Sequence, residues 1–125
     1  MFYGGLLALW LTILLALRIS VLYFSKTDLF FDEAQYWAWS QDPAFGYFSK
    51  PPLIAWIIGA TTTFCGMSEF CVRLASPILH SVTAIVLFFL GHTLFGPRVG
   101  FWGALAFVTV PGVSLSATLI STDVP

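Results

Sequence analysis

Three long apolar stretches and one polar stretch make up most of this chain. Residues 2–24 are apolar except for Arg18, and they are numerous enough to cross the hydrocarbon core of a membrane as an α-helix. Residues 72–94 and 99–120 form two further apolar stretches. A Gly-Pro turn at residues 96–97 separates them. The pattern predicts three spans over these stretches, with the side chain of Arg18 snorkelling to the membrane surface.

The polar stretch, residues 25–50, carries six of the eleven formal charges of the chain. Within it, residues 32–41 predict a short interfacial helix that is rich in aromatic side chains. The apolar residues 52–66 that follow are fewer than the roughly 20 needed to cross a bilayer. We expect a juxtamembrane or re-entrant helix there, with a tilted span as the alternative. If this helix does not cross, the polar loop and Asp123 lie on the same side of the membrane.

A kink is predicted inside the third apolar stretch, because proline at Pro111 cannot donate a backbone hydrogen bond. The hydroxyl groups of Ser114, Ser116 and Thr118 are placed to bond the freed carbonyls. The chain then ends in the polar residues 121–125, where a further span is expected to begin. The sequence is therefore expected to be the N-terminal part of a larger, all-α polytopic membrane protein.

Composition supports a lipid environment. Hydrophobic residues make up 58% of the chain and charged residues only 9%, whereas a soluble domain carries about 25% charged residues. The net charge of −1 indicates no nucleic-acid partner. Cys65 and Cys71 match no metal-binding spacing, so two free thiols are expected, with a single disulfide as the alternative.

Two adjacent carboxylates, Asp32 and Glu33, follow an apolar triplet at the start of the predicted interfacial helix. One interpretation is structural: Asp32 caps the helix, Gln35 completes a capping box, and Glu33 favours the helix dipole. The other is functional, because carboxylates are scarce in this chain and costly to place at a membrane edge. A capping carboxylate can also be catalytic, so the two interpretations are compatible.

Lys50 directly precedes Pro51 and Pro52, which stiffen the backbone ahead of the short apolar helix. An ammonium group near a helix N-terminus forms an anion site, and phosphate is the obvious anion at a membrane surface. The alternative is an ordinary lysine that snorkels to the interface. Asp123 is expected to cap a following helix or to point into a site, and His80 to be a packing histidine.

Four segments together carry a resemblance that no single one of them does. They are FFDEAQYWAWSQ from residue 30, GYFSKPPLIAW from residue 46, SEFCVRLASPILHSVTA from residue 68, and STDVP at the end. In this combination the chain resembles the start of the bacterial branch of the dolichyl-phosphate-mannose–protein mannosyltransferases, glycosyltransferase family 39 with the GT-C architecture. The likeness implies a multi-pass helical enzyme of which residues 1–125 form the N-terminal part, inactive on its own.

The resemblance also implies roles for single residues. Asp32 matches the acidic loop residue that acts as catalytic base or orients the acceptor, and Glu33 is its support. Lys50 matches the lysine that holds the phosphate of the carrier lipid, and Tyr47 lines the same cavity. Asp123, at the start of the second external loop, approaches Asp32.

Donor, acceptor and orientation follow from the same likeness. The donor is a sugar on a polyprenyl-phosphate membrane lipid, the acceptor a lipid, glycan or protein, and no other cofactor is certain. Some members carry a carboxylate before the lysine where this chain has Ser49, so the requirement for a divalent metal is open. The polar loop faces the outside of the bacterial inner membrane, although its excess of lysine and arginine alone favours the cytoplasm. The alternatives are a membrane transporter segment and a non-catalytic subunit that binds polyprenyl phosphate.

Overall fold

The computed structural model describes residues 2–26, 28–47 and 50–120. Over these ranges the chain folds into α-helices and contains no strand. The helices are α1 Phe2–Phe24, α2 Phe31–Ser40, α3 Leu53–Cys65, α4 Glu69–Arg73, α5 Ala75–Phe95, α6 Pro97–Thr109 and α7 Pro111–Ser116. The predicted all-α fold is confirmed.

Two stretches of helix in the described ranges are long and apolar enough to cross a membrane: α1, and α4 with α5, which run together from Glu69 to Phe95. Their outer faces carry large apolar side chains that are about half exposed. Examples are Leu9, Ile13 and Leu17 on α1 and Val82, Val86 and Phe89 on α5. Such faces are unfavourable in water and match a lipid environment. Whether a membrane boundary falls at residues 24, 72 or 94 stays a prediction.

Helices α1, α5 and α6 pack around one apolar cluster of Leu7, Leu11, Ala84, Phe88, Phe101, Ala104 and Val108. The α5–α6 hairpin is especially close. A Cβ atom added at Gly91 would lie 2.8 Å from the Cα atom of Gly100, so a side chain would force the two helices apart. Gly96, with φ of 98°, ends α5, and Pro97 begins α6. The predicted Gly-Pro turn is thus confirmed.

Helix α3 spans 13 residues, which gives a length of roughly 20 Å, well short of the ~30 Å hydrocarbon core. Its inner face joins a second cluster with α2, α4, the first residue of α5 and the segment after α7. The members are Tyr36, Ile54, Ile58, Val72, Ala75 and Ile120. The predicted short helix over residues 52–66 is confirmed, and whether it is juxtamembrane, re-entrant or a tilted span stays a prediction.

The predicted third span is broken. Val110 adopts an extended conformation, with φ of −58° and ψ of 131°, between α6 and α7, directly before Pro111. The carbonyl of Val108 therefore has no partner within its own helix. It accepts a hydrogen bond of 2.7 Å from Nη2 of Arg18 and one of 3.3 Å from Oγ of Ser114. The predicted kink and the role of Ser114 are confirmed, and whether residues 99–120 cross a membrane stays a prediction.

Arg18 itself differs from the prediction. Its side chain is only 6% exposed and points into the protein, where it also donates to Oγ of Ser114 at 3.4 Å. The expectation that it snorkels to the membrane surface is wrong, because the helix break supplies a buried acceptor that a snorkelling guanidinium would abandon. Arg18 thus supplies a donor for the carbonyl that the helix break leaves without a partner in its own helix.

We predict that Arg18→Met destabilises the protein by about 1–3 kcal/mol, because a charge-assisted hydrogen bond is lost and the Val108 carbonyl loses its main donor. Thermal unfolding of the purified full-length protein in detergent measures the change. Arg98→Met is the matched control, since Arg98 is exposed at the α5–α6 turn. Equal effects of the two substitutions would contradict the assigned role of Arg18.

Candidate functional site

The site begins at the first turn of α2. Phe30 is the residue before the helix, and its backbone N–H donates a 3.0 Å hydrogen bond to Oε2 of Glu33. The prediction that Asp32 is the N-cap is therefore wrong, as is the capping box with Gln35. Glu33, at the third helical position, takes the reciprocal half of a capping box, because its longer side chain reaches back to the N-cap nitrogen.

Glu33 is buried, and its partner is Arg73 at the end of α4. Nη2 of Arg73 lies 2.6 Å from Oε2 of Glu33, and Nε lies 2.9 Å from Oε1. Both side chains are nearly inaccessible, at 3% and 4% exposure. The same guanidinium donates a 3.0 Å bond to the backbone carbonyl of Asp28. A fork of this kind holds a carboxylate in one orientation, which a lysine could not do.

The second oxygen of Glu33 reaches the far end of the described chain. The backbone N–H of Ile120 donates a 2.9 Å hydrogen bond to Oε1. A side chain from the first polar loop therefore contacts the segment that follows α7, 87 residues later. The two segments lie at the same end of the molecule, as expected for a short helix at residues 52–66 that does not cross.

Burial and hydrogen bonding have opposite effects on the pKa of Glu33. Burial alone raises the pKa of its carboxyl, but the hydrogen bonds from Arg73, Ile120 and Phe30 and the positive charge of Arg73 outweigh that effect. The pKa of Glu33 therefore lies below its ordinary value, and the group is ionised at neutral pH. Its acceptor positions are occupied by protein donors, which suits a structural support. The further prediction that it takes part in catalysis stays a prediction.

Asp32, the neighbour of Glu33, has the opposite environment. Its side chain is exposed in the first turn of α2 and makes no hydrogen bond or ion pair with the described residues. The helix start carries it on a backbone that Glu33 anchors. An exposed carboxylate on an anchored backbone can accept a proton from an approaching substrate.

Tyr47 holds the loop that follows α2. Its Oη accepts a 3.1 Å hydrogen bond from the N–H of Ala44 and lies 2.9 Å from the carbonyl oxygens of Trp39 and Asp42, to which its hydroxyl can donate. The ring stacks on Trp39 with centroids 4.9 Å apart. This geometry gives Tyr47 a scaffolding role that its sequence position did not suggest. Its predicted place in a donor cavity stays a prediction.

Lys50 is exposed and lies two residues before Pro52, the N-cap residue of α3. The backbone N–H of Trp56 bonds the Pro52 carbonyl at 3.1 Å, so the first turn of α3 is well formed. The predicted setting of Lys50, just ahead of a proline-started helix, is confirmed. Ser49 and Asp123 lie outside the described residues. The link through Ile120 nevertheless brings the backbone three residues before Asp123 to the site.

A groove of about 540 Å³ opens beside the end of α2 and the outer side of α3. Its lining includes Ser40, Gln41, Trp56, Thr63 and Met67, and none of the predicted site residues. Among the described residues, no group of three or more histidine, cysteine or acidic side chains is arranged to hold a metal.

Two features of the site escaped sequence reasoning. The first is the partner of Arg73, because an arginine at the start of the apolar stretch 72–94 needs an acidic partner once it is buried. Cys65 and Cys71 form a disulfide with Cα atoms 5.7 Å apart, so the expectation of free thiols is wrong. Gly66, with φ of 105°, reverses the chain after α3 and brings the two cysteines together. A glycine directly after the first cysteine was the available signal.

His80 is buried on α5, with Nδ1 2.9 Å from the carbonyl of Ser76 and its ring stacked on Phe107. Because a carbonyl only accepts, Nδ1 carries the proton. The prediction of a hydrogen-bonded packing histidine is confirmed.

The lipid-compatible helices, with a buried ion pair beside an exposed carboxylate, define a helical membrane protein whose charged groups gather at one loop. Comparison with known proteins identifies its family. The chain belongs to the dolichyl-phosphate-mannose-protein mannosyltransferase family, whose model matches residues 49–125. That match includes Lys50 and Arg73.

One relative is more specific than the family description. The chain is 44% identical over 108 residues to the lipid A galacturonosyltransferase RgtD of Rhizobium johnstonii. The similarity covers 86% of this chain but 23% of the relative, so the chain spans about a quarter of that protein. No solved structure matches the chain.

We predict that the Glu33–Arg73 pair makes stability depend on pH. Because folding lowers the pKa of Glu33, the pair stabilises fully above the unfolded-state value of about 4.3, and this contribution is lost as pH falls through the lower folded-state value. Glu33→Gln should cost about 3–5 kcal/mol at pH 7, since it leaves Arg73 buried without a counter-charge.

Thermal unfolding of the full-length protein between pH 7 and pH 3 measures this dependence. The difference between wild type and Glu33→Gln should shrink as pH falls. Asp42→Asn, which removes an exposed carboxylate from the loop after α2, should leave the wild-type profile unchanged. A constant difference at every pH would contradict the ionised pair.

Proposed function

We propose that the protein is a membrane glycosyltransferase that moves a sugar from a polyprenyl-phosphate donor to an acceptor on the outer face of the bacterial inner membrane. The observation that carries the proposal is the family match over residues 49–125, which starts next to Lys50. The geometry adds support, because Glu33 joins the helix start that bears Asp32 to the backbone just before Asp123.

The relative favours a lipid acceptor. The family description names a protein acceptor and mannose, whereas the relative with 44% identity is named for lipid A and galacturonic acid. Identity at that level over most of this chain is the more specific of the two likenesses. We therefore propose a lipid A-type glycolipid as acceptor and a uronic acid as the transferred sugar.

The proposed reaction needs one base and one cation. A hydroxyl of the acceptor attacks the anomeric carbon of the donor sugar, and the bond from that carbon to the phosphate oxygen breaks. Asp32 accepts the hydroxyl proton as the new glycosidic bond forms, and the bond electrons leave with polyprenyl phosphate. The ammonium of Lys50 stabilises the phosphate as its charge grows. A single displacement of this kind inverts the anomeric configuration.

The disulfide supports the proposed orientation. Disulfides persist in the periplasm and outside the cell but not in the reducing cytosol of most bacteria. The Cys65–Cys71 bridge links α3 to α4, and α4 ends in Arg73, which binds Glu33 of the polar loop. The bridge and the loop therefore lie together, and an oxidised bridge argues for the outer face against the count of positive charges.

We predict that Asp32→Asn lowers the rate of transfer by at least roughly 100-fold while donor binding is retained, because only the proton acceptor is lost. Lys50→Ala should weaken donor binding itself. The assay uses the full-length protein in membranes, with lipid A and a polyprenyl-phosphate galacturonic acid. A parallel arm uses the mannose donor with a protein acceptor.

Asp42→Asn and Lys26→Ala are the matched controls, since both remove an exposed charge from the same loop. Full activity in the Asp32 and Lys50 variants would refute the roles given to these residues. Cation-dependent ion flux without sugar transfer in either arm would favour the transporter alternative and refute the proposed enzyme.

We predict that a single cysteine introduced at the exposed Gln41 reacts with a membrane-impermeant maleimide in intact spheroplasts. Cys65 and Cys71 are bridged to each other and do not react with maleimide. A cysteine at the exposed Arg98, in the turn between α5 and α6, should react only after permeabilisation, because the α4–α5 span separates it from the loop. The reverse labelling pattern would place the loop in the cytoplasm and overturn the orientation.

A further inference from the structure

We infer that Arg73 is a positioning residue for the proposed transfer: through the Glu33 carboxylate it fixes the distance between the helix start that carries Asp32 and the backbone at Ile120 after α7. The inference rests on the proposed function, because it assigns a task within that reaction. Arg73 itself is buried and directs its guanidinium at Glu33 and the Asp28 carbonyl.

The two oxygens of the Glu33 carboxylate bind different parts of the chain. Oε2 of Glu33 accepts from the N–H of Phe30, which fixes the start of the helix that carries Asp32. Oε1 accepts from the N–H of Ile120, three residues before Asp123. The separation of the two segments is thus set by the width of a single carboxylate group.

Arg73 fixes the orientation of the Glu33 carboxylate. A carboxylate can rotate about its last side-chain bond, and rotation would break one of the two backbone links. Nε of Arg73 lies 2.9 and 3.2 Å from the two oxygens, and Nη2 lies 2.6 Å from Oε2. A planar guanidinium that contacts both oxygens opposes such rotation.

Arg73 is itself held in place by the helices on either side of it. It ends α4, and only Leu74 separates α4 from the long helix α5. The Cys65–Cys71 bridge fastens the other side of α4 to α3. Arg73 is therefore part of the long helical stretch from Glu69 to Phe95, which holds its guanidinium in a fixed position.

Contacts that do not involve Arg73 also hold this region together. Oγ of Ser76 donates a 2.8 Å hydrogen bond to the carbonyl of Ser116, which holds the end of α7 on α5 independently. The apolar cluster around Tyr36 and Ile58 holds α2 on α3. Without the fork, both segments stay attached but their mutual spacing is no longer fixed.

The test uses the full-length protein with Arg73→Lys, which keeps the charge but loses the fork, and Glu33→Asp, which keeps the carboxylate but shortens its reach. Each should lower kcat by roughly tenfold or more, with KM for the polyprenyl-phosphate donor changed less than about twofold, because misplacement of about 1 Å can cost that much in rate. Phe88→Leu, in the cluster of α1, α5 and α6, is the control for a loss of stability elsewhere.

A second readout is independent of activity. Spin labels on cysteines at the exposed positions Ala34 in α2 and Leu115 in α7 report the spacing of the two segments by electron paramagnetic resonance. The distance distribution should be narrow in wild type and Phe88→Leu, and broader or shifted in Arg73→Lys and Glu33→Asp.

Unchanged kcat in the Arg73 and Glu33 variants, or a fall in kcat that Phe88→Leu reproduces, would overturn the inference. So would distance distributions that do not respond to either substitution. If the wild-type protein transfers no sugar, the proposed function fails. The distances then still decide whether Arg73 sets the spacing.

Discussion

A buried ion pair between Glu33 and Arg73 is the interaction that fixes how the chain segments at this end of the molecule are arranged. Two charges removed from water are costly, and their attraction offsets the cost only where the remaining hydrogen-bonding positions are satisfied. Here the carboxylate also accepts from the N–H groups of Phe30 and Ile120, and the guanidinium donates to the carbonyl of Asp28. The pair is therefore a junction of three chain segments, and Asp32 owes its fixed position to it.

A second polar junction lies deeper, among the apolar helices. The break before Pro111 frees the Val108 carbonyl, and Arg18 of α1 supplies the donor. The two junctions follow the same physical rule. In an apolar environment a buried charged side chain must form hydrogen bonds with polar groups that have no other partner. Arg18 and Glu33 both do so with residues far away in the sequence. Between them, the segment from Val110 to Ile120 is held at both of its ends.

Much of the fold could be predicted from the sequence, because it follows local rules. The apolar run at 2–24, the Gly-Pro turn at 96–97 and the break at Pro111 depend on composition and on residues that cannot continue a helix. The helix at 53–65 was predictable as a short one, because the apolar stretch that forms it has too few residues to cross a bilayer. The bounds of these helices agree with the predicted ones within a few residues, whereas the predicted span over residues 99–120 is divided at Val110.

The partners of the charged side chains could not be predicted in this way. Glu33 meets Arg73 across 40 residues and Ile120 across 87, and nothing local in the sequence encodes those distances. A prediction from neighbouring residues alone therefore assigns the capping role to Asp32, which has the more usual capping side chain. It also places the side chain of Arg18 at the membrane surface. The disulfide was missed because it depends on the backbone reversal at Gly66. The family resemblance recovered the candidate residues but not these contacts.

The most direct test of the central role of Glu33 is amide hydrogen exchange, resolved to single residues, in the full-length protein in nanodiscs. The amides of Phe30 and Ile120 both donate to Glu33 and should exchange slowly in wild type. Both should exchange faster, and together, in Glu33→Ala, while the amide of Gly96 at the α5–α6 turn stays unchanged. Exchange of Phe30 and Ile120 at the same rates with and without the carboxylate would contradict the account.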